Sequence, residues 1–304
     1  MMGRGINNNK KRYPEYDILV YTIPMSLTDL KVSELEKKAH DIRVSIVEML
    51  IEAKSGHTAG PLDMADIFTY LYFSGAMCYD AKRPDWPERD RLVLSNGHIA
   101  PVLYATMAHA GYFPMEKLAT LRKLGSPLQG HPHREWLPAL ETSSGPLGCG
   151  LAQAVGMAIA DRMDKGRSSG RVIYALMSDG ELDEGNSWEA IMLAGKERLG
   201  NLVAIVDRNC IQIDGFTEDI MPLEPLGDKW RAFGWHVQEC DGHNFLDIDR
   251  AIGGARAVSD KPSVILARTI PSKGIPEFER QFEWHGKPPT TEEEIAVARK
   301  ALHN

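Results

Sequence analysis

Asp179 and Asn209 are residues whose types and spacing could do chemistry together. About 30 residues separate them, the length of one strand–helix–strand crossover, so each can close the end of a neighbouring parallel strand. One carboxylate, one amide oxygen and a backbone carbonyl just beyond Asn209, for which Ile211 is the natural candidate, offer three hard oxygens. Two phosphate oxygens and a water would complete the six-oxygen shell that Mg2+ takes when it bridges a protein to a diphosphate. Asp and Asn after strands are also ordinary turn residues. The spacing raises the pair above that background.

Ten histidines and 27 glycines placed at random would give about one Gly-His dipeptide, yet the chain has four: Gly56-His57, Gly97-His98, Gly130-His131 and Gly242-His243, with His285-Gly286 reversed. Glycine lets the backbone lie close to a ligand while the adjacent imidazole points into a pocket, where it can shuttle protons or bind anions and hydroxyls. His243 is read as structural, as are His109, His133, His236 and His303, which lack comparable context. A third signal is the glycine-bracketed turn from Thr142 to Gly150 ahead of a small, apolar helix. Its free N–H groups suit a phosphate or a polar ring edge. It is not a dinucleotide fingerprint: counting from Gly148, Gln153 stands where a glycine is needed, and no strand precedes it. No P-loop is present either, so nicotinamide-dependent and ATPase readings both weaken.

The elements that must position these residues are legible as short β-rich runs at 91–95, 171–177, 202–207, 235–239 and 263–267. Helical patterns at 100–110, 148–163, 187–198, 224–233 and 244–257 separate most of them. That alternation predicts an α/β fold with a mainly parallel sheet and helices on both faces. Ser33 and Glu36 read as a capping box opening a helix that Ser55-Gly56 stops. A second helix is expected over 61–73, and an amphipathic one over 292–304. Residues 1–25 read as a leader and 26–304 as one domain. In such sheets ligands bind beyond the carboxyl ends of the strands, which is where Asn96-Gly97-His98, Ser178-Asp179-Gly180 and Arg208-Asn209 fall.

Lys and Arg total 35 against 42 Asp and Glu, a net charge of −7, which argues against a broad nucleic-acid-binding face. Four scattered cysteines with no C-x-x-C pair predict neither a zinc site nor a disulfide framework and fit a reducing compartment. No apolar run approaches the roughly 18 residues of a membrane span, and the polar N-terminus reads as neither signal peptide nor anchor. A cytoplasmic enzyme with no membrane or nucleic-acid partner is expected.

Ser178-Asp179-Gly180-Glu181-Leu182-Asp183-Glu184-Gly185-Asn186-Ser187-Trp188-Glu189-Ala190, continuing to Asp207-Arg208-Asn209, resembles the thiamine diphosphate motif of the transketolase family: G-D-G, about 30 residues, then N, here with E-G-x-x-W-E-A. Ser55-Gly56-His57, Ser95-Asn96-Gly97-His98, Gly130-His131-Pro132, Gly145-Pro146-Leu147-Gly148 and Trp284-His285-Gly286 follow in the family's order. The resemblance runs from about Ser33 to His303 and covers the family's first, diphosphate-binding domain. It implies that Asp179, Asn209 and the Ile211 carbonyl hold Mg2+ or Ca2+. It also implies that Gly180, His98 and His285 contact the diphosphate of thiamine diphosphate beside Asn209, and that Gly145, Pro146 and Leu147 present backbone groups to its aminopyrimidine. His57, His131 and His285 would line the substrate channel and assist proton transfers, and Glu184 would lie at a subunit interface. Two departures are Ser178 for the motif's first glycine and His57-Thr58-Ala59-Gly60-Pro61 where His-Pro-Gly is usual.

The implied activity is transfer of a two-carbon ketol unit from a ketose, usually phosphorylated, to an aldose acceptor. The implied assembly is an N-terminal subunit joined by a C-terminal subunit that supplies the pyrimidine-binding domain, two chains of each type. Subunits like 1-deoxyxylulose-5-phosphate synthase or the alpha chain of a 2-oxoacid dehydrogenase share the metal logic, but the E-G-x-x-W-E-A run and the histidines speak against both. A non-catalytic interaction subunit is the rival from another class. Retention of every proposed ligand argues against it.

Overall fold

The computed structural model describes residues 27–166 and 170–303; the leader expected over 1–25 lies outside the described residues. In chain order the strands are β1 (Arg91–Leu94), β2 (Ile173–Ser178), β3 (Leu202–Arg208), β4 (Ile211–Gln212), β5 (Gly215–Phe216), β6 (His236–Asp241) and β7 (Ser263–Arg268). β4 and β5 form a small antiparallel hairpin. The other five make one parallel sheet in the order β1-β2-β3-β7-β6.

Alternate residues along the strands enter two separate cores. Tyr174 and Leu176 of β2, with Val203 and Ile205 of β3, face one. Ile173, Ala175 and Met177, with Ala204 and Val206, face the other. A sheet buried on both faces explains why these strands read as unbroken apolar runs. The first core is covered by α1 (Asp29–Ala53), α3 (Ala65–Phe73), α4 (Ala100–His109), α9 (Phe245–Ala257) and α10 (Glu292–His303). The second is covered by α5 (Cys149–Lys165), α6 (Gly185–Glu197) and α8 (Leu226–Ala232). The expected architecture is therefore the observed one.

Two local expectations fail. α1 begins one turn before Ser33: Thr28 is its N-cap, accepting the Lys31 N–H at 3.3 Å, and Asp29 adds a favourable charge in the first turn. The helix expected over 61–73 is split into α2 (Ala59–Asp63) and α3. The buried Arg43 Nε donates to the Leu62 carbonyl at 3.1 Å, drawing that carbonyl toward the side chain at the break. Among the described residues no helix is long and apolar enough to cross a membrane.

The sheet sets up the site through register. Ser178 pairs with Asp207, so Asp179 and Asn209 leave adjacent strand ends, and the Asp179 N–H donates to the Asp207 carbonyl at 3.1 Å.

Candidate active site

A cavity of about 440 Å³ opens at the carboxyl ends of β1, β2 and β3. His57 reaches it from the segment after α1, His98 from the 3-10 turn after β1, and His131, Gly145 and Leu147 from the connection between α4 and α5. Gly180 enters after β2, Ile211 after β3 and His285 before α10. The structure thus gathers residues that the sequence scatters between His57 and His285. Asp179 and Asn209 lie just beneath this wall, 0% and 6% exposed.

Asp179 is held on both oxygens. Oδ1 accepts the Gly180 N–H at 2.7 Å, and Oδ2 accepts the Cys210 N–H at 2.8 Å and Arg208 Nη1 at 2.9 Å. Burial pushes its carboxyl up to about 6, against the pull of Arg208. Arg208 also donates to Thr217 Oγ1 at 2.8 Å, Glu218 at 2.6 Å and Glu224 at 3.1 Å. The Asn209 amide is oriented by two buried acceptors: Nδ2 donates to Asp63 Oδ2 at 2.8 Å and Asp207 Oδ2 at 3.2 Å. Burial raises both of those carboxyls, and the Asp207 charge raises Asp63 further. With Nδ2 so committed, Oδ1 is the acceptor end of the amide and takes the Ile211 N–H at 3.1 Å.

This donor set suits a hard cation. A carboxylate has roughly four lone-pair sites, of which Asp179 uses three, and the amide oxygen of Asn209 retains a free lone pair. The oxygens these strand ends offer a cation are the Asp179 carboxylate, the Asn209 amide oxygen and the Ile211 carbonyl. All-oxygen coordination of that kind belongs to Mg2+ or Ca2+.

The histidines form a cluster. Ring centroids are 4.8 Å apart for His57 and His98, 5.3 Å for His98 and His285, and 5.6 Å for His57 and His285. Burial lowers His57 to about 4, helped by His285, Arg122 and His131. Burial also lowers His285 to about 4 and holds His98 well below the ordinary imidazole range. His131 is lowered by burial and by Arg122. At neutral pH these are neutral rings that can each donate and accept.

Several buried polar atoms around them have no partner: Nδ1 of His57 and of His285, Ser144 Oγ, and both side-chain polar atoms of Asn96. Leaving such an atom unpaired costs about 1–3 kcal/mol, so a cluster of them fits a site that pairs them with a polar ligand. The turn carrying His98 touches the glycine loop: a Cβ on Gly97 would lie 2.7 Å from Ser144 Oγ and 2.9 Å from the Gly145 nitrogen. A ligand reaching from Gly180 to Gly145 would therefore have the strand ends that carry Asp179 and Asn209 at one end and the glycine loop at the other. Thiamine diphosphate, with its diphosphate and aromatic ends, fits that division.

Sequence reasoning missed Glu181, which lines the cavity and is 0% exposed. It accepts the Ser95 hydroxyl, the Gly148 N–H at 2.6 Å and the Ser178 N–H at 3.4 Å. Ser95 Oγ in turn accepts the Leu151 N–H at 3.2 Å, so Ser95 and Glu181 together cap α5 from two other strands. Burial pushes Glu181 up to about 7. In the sequence it is one carboxylate of an acidic run, read only as part of the motif. Asp63 was missed too, and Asn96 and Arg208 were given a strand-end position but no role.

Other expectations fared as follows. Ser178 ends β2 in extended backbone, which needs no glycine. Trp188 of the motif donates to the Leu182 carbonyl at 2.7 Å, and Asn186 Nδ2 to the Leu147 carbonyl at 3.2 Å, so α6 pins the glycine loop. Glu184 is exposed at the start of α6, on the rim of the cavity. His243 is structural: it pairs with Asp66 at 2.7 Å and accepts the Ile270 N–H at 2.8 Å.

The family described as "Transketolase, thiamine diphosphate binding domain" matches residues 35–303. The chain is 45% identical over 259 residues to a 6-deoxy-6-sulfo-D-fructose transketolase subunit of Clostridium sp. (strain MSTE9), covering 85% of this chain and 93% of that one. It is 40% identical over 271 residues to one of the subunits of the apulose-4-phosphate transketolase of Phocaeicola vulgatus, covering 89% and 95%. The solved transketolase of Campylobacter jejuni superposes with a TM-score of 0.82 at 35% identity, over 90% of this chain but only 43% of that one. Motif order, sheet topology and cavity agree with these likenesses, and the chain belongs to the transketolase family as its thiamine diphosphate-binding domain.

Proposed function

We propose that the chain is the diphosphate-binding subunit of a two-chain transketolase that moves a two-carbon ketol unit from a ketose to an aldose. The observation that carries this reading is the half-buried His57–His98–His285 cluster, with orphaned ring nitrogens on His57 and His285, in the cavity beside the Asp179–Asn209 strand ends. Thiamine diphosphate, when bound, supplies the nucleophilic carbon and the electron sink that ketol transfer needs. Asp179, Asn209 and the Ile211 carbonyl hold Mg2+ or Ca2+ against the diphosphate. Gly180, His98 and His285 would contact the diphosphate, the Gly180 N–H being shared with Asp179 Oδ1, and Gly145, Pro146 and Leu147 would form the bed for the aminopyrimidine. His57, His131 and His285 bind sugar hydroxyls and pass protons as neutral bases.

The two relatives named as subunits match this chain over nearly their whole length, which supports a partner that completes the site. Exposed Met192 and Leu193 on α6, near Glu184, support a docking face there, and two-fold symmetry favours two chains of each type. The names of those relatives specify a sulfonated and a phosphorylated sugar, which supports a ketose with an anionic end. Residues 26–304 act as one domain, and four free cysteines suit a cytoplasmic setting.

His57→Ala and His131→Ala are expected to lower kcat/KM of the partnered enzyme by at least about 10²-fold. Calorimetry should show unchanged thiamine diphosphate binding in Mg2+, because neither residue is assigned to the diphosphate or the metal. Unaltered kinetics in both variants would assign the two rings to packing. Absence of cofactor binding by the unmodified chain would favour a non-catalytic role.

A further inference from the structure

Arg122 is a solvent-exposed cation at the edge of the histidine cluster, and among the described residues no carboxylate pairs with it. Its backbone is left-handed at φ 58°, where a non-glycine residue is uncommon, and its N–H closes a turn onto the Leu128 carbonyl at 2.9 Å. Nη1 donates to Ser55 Oγ at 3.0 Å. The guanidinium also lies over Gly130: a Cβ there would sit 2.9 Å from Cζ and 3.0 Å from Nε. On the other side, a Cβ on Gly56 would come within 3.9 Å of Nε. These are the glycines that precede His57 and His131. The His131 ring in turn lies against the glycine loop, 3.6 Å from where a Cβ on Gly145 would be.

We propose that Arg122 is a positioning residue, a clasp that sets the Gly56-His57 and Gly130-His131 turns against each other. The proposal rests on reading these rings as the substrate-channel histidines, and it accounts for the glycine at Gly130, where a Cβ would meet the guanidinium; at Gly56 the crowding comes from Leu50 Cδ2, 2.5 Å from a Cβ, with the Arg122 Nε in ordinary contact at 3.9 Å. The charged and titratable groups facing His57 are His98, His131, His285 and Arg122, and those facing His131 are Arg122, His57 and His98. Arg122 is the permanent charge in that set, and a nearby cation disfavours an imidazolium. Tyr104 is the titratable group facing Arg122 itself.

The test is an NMR titration of the histidine Cε1–H resonances in the full chain, assigned with His57→Gln and His131→Gln. Arg122→Gln is expected to raise the midpoints of both rings by about half a unit to one unit, and Arg122→Lys to return them most of the way. In the partnered enzyme, Arg122→Gln should lower kcat/KM about tenfold and move the acid limb of its pH profile upward. Arg122→Lys should restore the limb yet keep a raised KM, since an ammonium cannot span both turns. If Arg122→Gln fails to fold, Gly130→Ala serves, because its Cβ displaces the guanidinium and should give the same upward shift. Wild-type midpoints in the folded variants would overturn the clasp. Raised midpoints in a chain that transfers no ketol unit would uphold the clasp and fault the functional reading instead.

Discussion

Asp179→Ala is expected to remove metal-dependent thiamine diphosphate binding while the chain stays folded. Asp179 is the one anionic ligand proposed for the cation, so its loss leaves the charge of the bound diphosphate less compensated and the cation with only neutral protein oxygens. A fall in affinity of at least about 10²-fold follows, since changes to the groups that merely orient metal ligands already cost about 10–100-fold at such centres. The fold should persist because Arg208 keeps Glu218, Glu224 and Thr217 as partners when Asp179 is gone. The check is calorimetric titration of thiamine diphosphate in Mg2+ and again in EDTA, with circular dichroism to confirm the fold. An Asp179→Ala chain that binds as the wild type does, and loses binding in EDTA to the same degree, would place the metal elsewhere.

Glu181→Ala should be costly in a different way. The substitution strips the acceptor from the Ser95 hydroxyl, the Gly148 N–H and the Ser178 N–H, at a side chain buried in the cavity wall. With about 1–3 kcal/mol for each buried donor left unpaired, a loss of roughly 3–5 kcal/mol of folding stability is expected. The effect should also reach the ligand, because the Gly148 turn and Ser95 carry the aminopyrimidine bed and the His98 turn. Glu181→Gln retains an acceptor for Ser95 and Gly148 and should recover most of both losses. Urea unfolding and cofactor titration of the two variants decide the matter. If alanine and glutamine behave alike and close to wild type, Glu181 is a bystander of the site.

How much of this was legible in the sequence depended on the kind of interaction. Strand ends and turns are local, so Asp179, Asn209, His98 and the glycine loop could be placed from spacing alone, and the sheet positions them together as expected. The order of the strands was less accessible, because nothing local tells β7 to insert between β3 and β6. Glu181 and Asp63 were invisible for a related reason. Each acts across long stretches of chain, as in Glu181 with Gly148, 33 residues away, and Asp63 with Ser272, 209 residues away. A carboxylate in an acidic run gives no sign of being buried until helix α5 is seen ending on it. The cap of α1 was misplaced because Thr28 and Ser33 are both competent caps, and the apolar stripe beginning at Leu35 favoured the wrong one.

The central claim is that this chain holds the cofactor's diphosphate and metal but transfers no ketol unit until a partner chain completes the site. The direct measurement is a ketol-transfer assay with thiamine diphosphate and Mg2+, run on the rigorously purified chain alone and on the chain mixed with a partner carrying the pyrimidine-binding domain. The account predicts no transfer from the chain alone and full activity from the mixture, saturating at one partner per chain. Full activity from the chain alone would contradict it.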